Sequence, residues 1–267
     1  MPAFGRSRNL GRVNQWKSQL RPRRRSLLSD WPSYRLVVLG DSSPAGFWIL
    51  NYQDPSGGGD FRYLDYSGNG RNSSFVGSSL TPTKELSGLN RDLDFAARFD
   101  GTNDYGEVAD NAAWDSGTMS VEAVFRCTSN TVLLGRWNNP DAFTNASFYL
   151  QVAQSLGLIR FRGFTGNSYT DSDWSNSTAY DGTWHHLVVT TNGSNVIAYL
   201  DGVSLGSLTA GGSINSSNRL LTIACLQNTN AGSGFYAYSN ANIAAISYYP
   251  GTVLTAAQVA AHAAAVV

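Results

Sequence analysis

Between residues 96 and 249 the chain passes through a series of short apolar segments with no room for helices between them. MSVEAVFRCT, TVLLGRW, SFYLQVA, LGLIRFRGF, WHHLVVTTN, VIAYLDG, RLLTIACLQ and ANIAAISYYP follow in turn, divided by NNP, NGSN, DG and AGG. Apolar runs of this length between Gly-, Pro- and Asn-rich breaks read as strands. A parallel connection needs a crossover of a dozen or more residues, so strands this close together pair antiparallel. In MSVEAVFRCT the alternation puts Val121, Ala123, Phe125 and Cys127 on one face, and Ser120, Glu122 and Arg126 on the other. Such strands bury their apolar faces by forming two sheets packed face to face. A composition of 42% hydrophobic and only 14% charged residues, with 27 glycines in 267, fits a turn-rich β protein.

The flanks read differently. YRLVVLG and GFWILNY look like β or short turn elements, DPSGGGDF like a loop and SGNG like a tight turn using Gly68 and Gly70. In YLDG, Asp201-Gly202 predicts a type I′ hairpin. LTAAQVAAHAAAVV predicts a short terminal helix capped by Thr255. Its lack of charge implies that it packs against something.

Charge is distributed unevenly. Eight of the 19 basic residues and none of the 19 acidic ones fall in residues 1–25, so that stretch carries +8 and the remainder −8. Residues 1–30 therefore read as a basic arm and residues 31–267 as an acidic body. Arg6, Arg8, Arg12, Lys17, Arg21, Arg23, Arg24 and Arg25 are interleaved with Trp16, Leu10, Val13 and Leu20. That mixture suits docking across an acidic protein surface. Nucleic acid contact and a solvated tail are the alternatives. The two cysteines, Cys127 and Cys225, sit in strand-like runs and are expected as buried thiols, with a single bridge as the other option. No apolar run approaches the roughly 18 residues of a spanning helix, so no membrane partner is expected.

Five motifs occur in an order typical of one family. They are SPAGFWIL (43–50), LDYSGNGRN (64–72), FDGTNDYGEV (99–108), GTWHHLVVT (182–190) and YLDG (199–202), with LTAAQVAAH closing the chain. On these the body resembles the concanavalin A-like, laminin-G-like domains over about residues 34–265, with Gly106 where the family usually has Val. The resemblance implies an all-β, two-sheet antiparallel jelly-roll sandwich. It leaves the chemistry open, because family members include sugar binders, protein binders and phage structural proteins. With the arm, it points to a bacteriophage virion protein: a head decoration, fibre or tail component, fastened to capsid or tail subunits with the sandwich outward. The alternative is a carbohydrate-binding or adhesin module that contacts host-surface glycans.

Three kinds of site are worth weighing. Retaining glycosidases need two carboxyls about 5 Å apart, and the family's hydrolases resemble one another in an E-x-D-x-E strand that this chain lacks. Glu107, Asp110 and Asp115 are spaced for a loop, Glu122 stands alone, and no enzyme is expected. His185 and His186 are adjacent on a strand and point to opposite faces, as packing residues do. Asp100, Asn103 and Asp104 offer oxygens for a calcium ion; the same groups can instead satisfy their own turn, with Phe99 and Tyr105 anchoring it in the core. Trp114, Trp137, Tyr169 and Trp174 lie beside polar segments, where each could stack on a sugar ring or close an end of the sandwich.

Overall fold

The computed structural model describes residues 33–50, 61–77, 83–84, 89, 93, 95–137, 146–227 and 234–266. The arm at 1–30, and with it every docking residue from Arg6 to Arg25, lies outside the described residues.

In chain order the elements begin with helix α1 (Tyr34–Asp41), then β1 (Gly46–Ile49), β2 (Phe61–Tyr63), β3 (Ser73–Val76), β4 (Thr83–Lys84), β5 (Phe95–Asp100) and β6 (Tyr105–Val108). The long central strands follow: β7 (Met119–Cys127), β8 (Thr131–Arg136), β9 (Phe148–Ala153), β10 (Leu158–Thr165), β11 (Ser168–Ser175), β12 (His185–Thr191), β13 (Asn195–Leu200) and β14 (Val203–Thr209). Short β15 (Leu221–Ile223), β16 (Leu226–Gln227) and β17 (Phe235–Tyr236) precede β18 (Asn240–Pro250) and helix α2 (Ala256–Ala264).

Sixteen of these strands form two antiparallel sheets of eight, and β16 and β17 pair with each other in a small ribbon. Sheet A runs β14-β13-β12-β7-β18-β5-β4, with β1 also on β18; sheet B runs β11-β10-β9-β8-β15-β6-β3-β2. Their facing sides make the main core, where Trp48, Phe99, Phe125, Phe148, Phe161 and Tyr248 are fully or almost fully buried. Each such side chain contributes about 1.5–3 kcal/mol relative to exposure. The alternation expected for β7 holds: Val121, Ala123, Phe125 and Cys127 all join this core. Both cysteines are free thiols and buried. Among the described residues, no helix is long and apolar enough to cross a membrane.

A third layer covers part of the outer side of sheet A. There Tyr34 and Val38 of α1 and Val259 of α2 pack with Val124, Val188, Tyr199 and Tyr249. YRLVVLG is therefore a helix and not a β or turn element. Ser33 caps it by accepting from the Leu36 amide, and the i, i+4 pair Tyr34 and Val38 forms its buried stripe. Helix α2 is capped by Thr255 in a capping box with Gln258 and buries Val259 and His262, which explains its lack of charge. The β13–β14 hairpin has positive φ at both Asp201 (51°) and Gly202 (79°), as a type I′ turn requires.

The LDYSGNGRN turn is organised by one carboxylate. Asp65 accepts from the amides of Phe47 (3.1 Å), Ser67 (2.9 Å) and Arg71 (3.0 Å), which ties the turn to β1. FDGTNDY carries the chain from sheet A to sheet B. Phe99 enters the core, but Tyr105 turns to the outer side of sheet B and stacks on Phe235 with ring centroids 4.2 Å apart. The expected double anchor is therefore half correct.

Candidate functional site

The outer face of sheet B carries the most concentrated recognition chemistry among the described residues. Register assembles it. Tyr149 lies opposite Arg162, which lies opposite Asp171; Gln151 lies opposite Arg160, which lies opposite Asp173; Phe164 lies opposite Tyr169. The intervening residues Leu150, Phe161, Ile159 and Trp174 belong to the core, so these rows face away from it.

Each arginine grips one aspartate at two points. Arg160 Nε and Nη2 lie 2.8 and 2.7 Å from the two oxygens of Asp173. Arg162 Nη2 lies 2.6 Å from Asp171 Oδ2, and its Nε bonds Oδ1. Paired forks of this kind are short, directional and stronger than a lone surface ion pair. The Asp173 bond raises the Arg160 pKa above its ordinary range. Burial works against the charge on Arg162, but the Asp171 bond and the neighbouring Tyr149, Asp171 and Tyr169 groups together outweigh it. The Arg162 guanidinium also sits 4.0 Å from the ring centroid of Tyr169, 5.4 Å from that of Tyr149 and 5.7 Å from that of Trp137. These contacts fix the charged comb against aromatic rings.

Exposure separates the four candidate sugar platforms. Tyr169 is 44% exposed and presents its ring on this face. Trp137 belongs to the same face, at 7% exposure, packed on Tyr149 and Phe164 with centroids 5.0 and 4.7 Å away. Trp114 is fully buried, with its indole N–H donating to the Ala109 carbonyl. Trp174 is 5% exposed, its core-facing ring tied to the Gly206 carbonyl. These last two close the sandwich and offer no open ring face.

The acids singled out in the sequence are drawn into structural work. Asp100 Oδ1 accepts from the Thr102 amide at 2.8 Å and the Asn103 amide at 3.4 Å, which is an Asx-turn. Asp104 is fully buried, and its Oδ2 accepts from the Asp100 amide. Asn103 is exposed at the loop tip. Asp110 and Asp115 both pair with Arg136, and Asp171 and Asp173 are held by arginines. Glu107, on the outer face of sheet B, has its pKa raised by burial. The acids brought together at these places surround arginines and are not posed as an acid–nucleophile pair. GVSLG (202–206) has the G-x-S-x-G spacing of a hydrolase elbow, but it lies on a strand–turn–strand hairpin where that motif needs strand–turn–helix. Its Ser204 hydroxyl accepts from the Gly206 amide.

Sequence reasoning missed one cluster. Glu122 is fully buried beneath α1 and α2 and far from alone. Its carboxylate accepts from Tyr34 Oη (2.9 Å), His186 Nε2 (2.7 Å), Tyr249 Oη (2.6 Å) and His262 Nδ1 (3.1 Å). Burial opposes the charge on Glu122, yet the bonds from His186 and His262 hold its pKa well below the ordinary carboxylate range. His185 points the other way and bonds Asp201 and Asp181. The opposite orientation of the two histidines follows the expectation, and both serve packing and hydrogen bonding.

Known proteins match this arrangement in fold. Residues 100–260 match the family model described as the concanavalin A-like lectin/glucanases superfamily. No curated protein sequence matches the chain. Among solved structures, domain 4 of AbnA, a GH43 extracellular arabinanase from Geobacillus stearothermophilus in complex with arabinotriose, superimposes with a TM-score of 0.57 at 15% identity. That match covers 84% of this chain and 99% of the other. The receptor binding domain of botulinum neurotoxin type G gives a TM-score of 0.57 at 14% identity, over 84% of this chain and 51% of that one. A botulinum neurotoxin type C structure, whose cell entry depends on two ganglioside molecules, gives 0.57 at 14% over 82% and 50%. The chain thus spans about half the length of these neurotoxin structures. The family match extends over more than half of the chain and agrees with the two-sheet sandwich seen here: the protein belongs to the concanavalin A-like lectin/glucanases superfamily.

Proposed function

We propose that this chain is a non-catalytic carbohydrate-binding module that attaches its carrier to surface glycans, with the outer face of sheet B as the binding surface. The observation that carries the reading is the exposed Tyr169 ring set against the Arg162–Asp171 fork. A pyranose presents C–H groups on one face and hydroxyls around its rim. An aromatic ring, with its negative face, suits the first. Carboxylate oxygens keep acceptor capacity beyond the arginine bonds, so Asp171 and Asp173 suit the second. Because the comb is braced before any ligand arrives, little ordering entropy is lost on binding.

The fold relatives support this reading, since one was solved with arabinotriose and another with reference to gangliosides. The virion expectation rested on residues 1–30 and on a phage-like resemblance. The arm lies outside the described residues, and the relatives named above are not virion proteins. The glycan-binding alternative therefore replaces it as the principal reading, with the arm kept as a candidate tether.

Glycan-array screening followed by calorimetry tests the proposal. Neutral oligosaccharide binding should be lost in Tyr169→Ala and largely kept in Tyr169→Phe. A protein inert to every glycan, or one whose binding ignores Tyr169, would refute it.

A further inference from the structure

On the outer side of sheet A, helix α2 and the start of β12 leave a cleft of about 390 Å³ between them. One wall is polar and carries Trp184, His186 and Asp201. The facing wall is the small apolar side of α2, made by Ala260, Ala263 and Ala264, and Val203 and Val266 complete the lining. Trp184 and His186 stand two positions apart, so both point outward from the sheet while His185 between them points inward. Gly202 brings the β13–β14 turn against the helix: a Cβ there would come within 3.1 Å of Ala263 Cβ.

Two nitrogens on the polar wall stand out. Trp184 Nε1 and His186 Nδ1 are both buried, and neither has a hydrogen-bond partner among the described residues. Buried polar groups are nearly always paired, because an unpaired one keeps the full cost of losing water. Their roles are complementary. The indole N–H can only donate. His186 gives its Nε2 proton to Glu122 at 2.7 Å, so its neutral ring presents a lone pair at Nδ1. Neither sign of charge is favoured beside them. The Arg126 guanidinium lies 5.3 Å from the Trp184 ring centroid, whereas Glu122 stands behind His186 and Asp201 is on the wall itself.

We propose that this cleft is a binding site for a small uncharged amphiphile, a molecule with an apolar ring or chain and one hydroxyl group. The hydroxyl accepts from Trp184 Nε1–H and donates to His186 Nδ1, so a single group pairs both nitrogens. The apolar body lies along the alanines of α2. A mainly apolar lining with a few placed polar groups, at the small end of about 300–1,000 Å³, is the usual build of a small-molecule site. A pyranose suits it poorly, since hydroxyls around its rim would be stranded against the alanines. The inference goes beyond the glycan-binding reading and concerns the opposite sheet.

Titration of the full chain with p-cresol, toluene and glucose, read by side-chain proton–nitrogen NMR, tests it. p-Cresol should bind at least about tenfold more tightly than toluene, which matches it in shape and lacks the hydroxyl. It should shift the Trp184 indole N–H and His186 Nδ1 resonances, and glucose should shift neither. Ala260→Leu, at an exposed helix position, fills the cleft and should weaken p-cresol at least about tenfold. Ala264→Leu, also exposed, repeats the block should the first variant melt early. Trp184→Phe keeps an aromatic ring and removes the donor, so it should bring p-cresol close to toluene. Absence of p-cresol binding, equal affinity for toluene, unmoved Trp184 and His186 resonances, or binding that ignores both leucine variants would overturn the site. Glycan binding that depends on Tyr169 would stand regardless, so the two proposals fail separately.

Discussion

His186 Nε2 lies 2.7 Å from Glu122 Oε1, where the side chains are 2% and 0% exposed. Three further donors converge on the same carboxylate: His262 from α2, Tyr34 from α1 and Tyr249 from β18. One ion thus joins sheet A to both helices. Breaking a buried pair by removing one partner costs about 3–5 kcal/mol, because the remaining groups are stranded. Glu122→Gln should lower stability by that amount in urea unfolding, since the amide offers one acceptor where the carboxylate offers two. A loss below about 1 kcal/mol, the scale of a surface pair, would show that the cluster does not clamp the helices.

The same cluster sets a pH dependence. Burial pulls the His262 pKa down, but the bond to Glu122 and the charges of Glu122 and Asp41 lift it above its ordinary value. Its contribution is therefore complete below the unfolded value of about 6.5 and lost as pH rises through the folded one. Glu122 is depressed, so its contribution is present above about 4.3 and lost as pH falls through its folded value. The two overlap between about pH 4.5 and about pH 6.5. Tyr34 and Tyr249, raised chiefly by burial, stay neutral there. His186 faces the same carboxylate and is retained in the variant used below. Unfolding free energy should fall from about pH 6 to about pH 8.5 in the native chain and fall less in His262→Gln. Equal slopes would remove His262 from the account. His185, raised on balance by Asp201 and Asp181 against the pull of burial, contributes with the same sign in both proteins.

What the sequence revealed was local. Alternation in β7, the Asp-Gly turn and the Thr255 cap each depend on neighbours within a few residues. Helix α1 was hidden because YRLVVLG is rich in β-branched and apolar residues; its outcome depends on the Ser33 cap and on the Tyr34 hydroxyl reaching Glu122, 88 positions away. The aromatic candidates needed register. Trp174 stands opposite Ile159 and faces the core, whereas Tyr169 stands opposite Phe164 and faces out. Strand parity in SYTDSDWS would have separated the two, since Tyr169, Asp171 and Asp173 alternate together and Trp174 does not. The Glu122 cluster left no such trace, because its members come from five elements, α1, β7, β12, β18 and α2.

Arg136 explains a pair of acids that looked functional in the sequence. It is fully buried, with Nη1 2.8 Å from Asp115 Oδ1 and Nη2 2.7 Å from Asp110 Oδ1, and it also donates to the carbonyls of Ser217 and Arg219. A lysine keeps the charge but not the fork that reaches four acceptors. Arg136→Lys and Arg136→Met should both destabilise by about 3–5 kcal/mol, with little to choose between them. Full thermal stability in the lysine variant would mean that charge alone suffices. Asp110→Asn should cost less than either, since Asp110 is 41% exposed and its place can be taken by water.

Gly106 departs from the valine usual at its place in the family, and the packing gives the reason. It lies on β6 opposite Phe75 on one side and Ile223 on the other. A Cβ at this glycine would come within 2.7 Å of the Phe75 ring and 3.2 Å of Ile223 Cβ. Phe75 cannot easily withdraw, because its ring packs 4.2 Å from Tyr63 and 5.6 Å from Phe99 by centroid. The phenylalanine occupies the volume that a valine would fill. Gly106→Val should therefore destabilise by about 1–3 kcal/mol or more, the cost of overpacking a filled core. Adding Phe75→Leu should recover part of that loss, although the same change alone is destabilising, so the pair should be strongly non-additive. Simple additivity in a double-mutant cycle read by urea unfolding would show that the two sites do not compete for the same space.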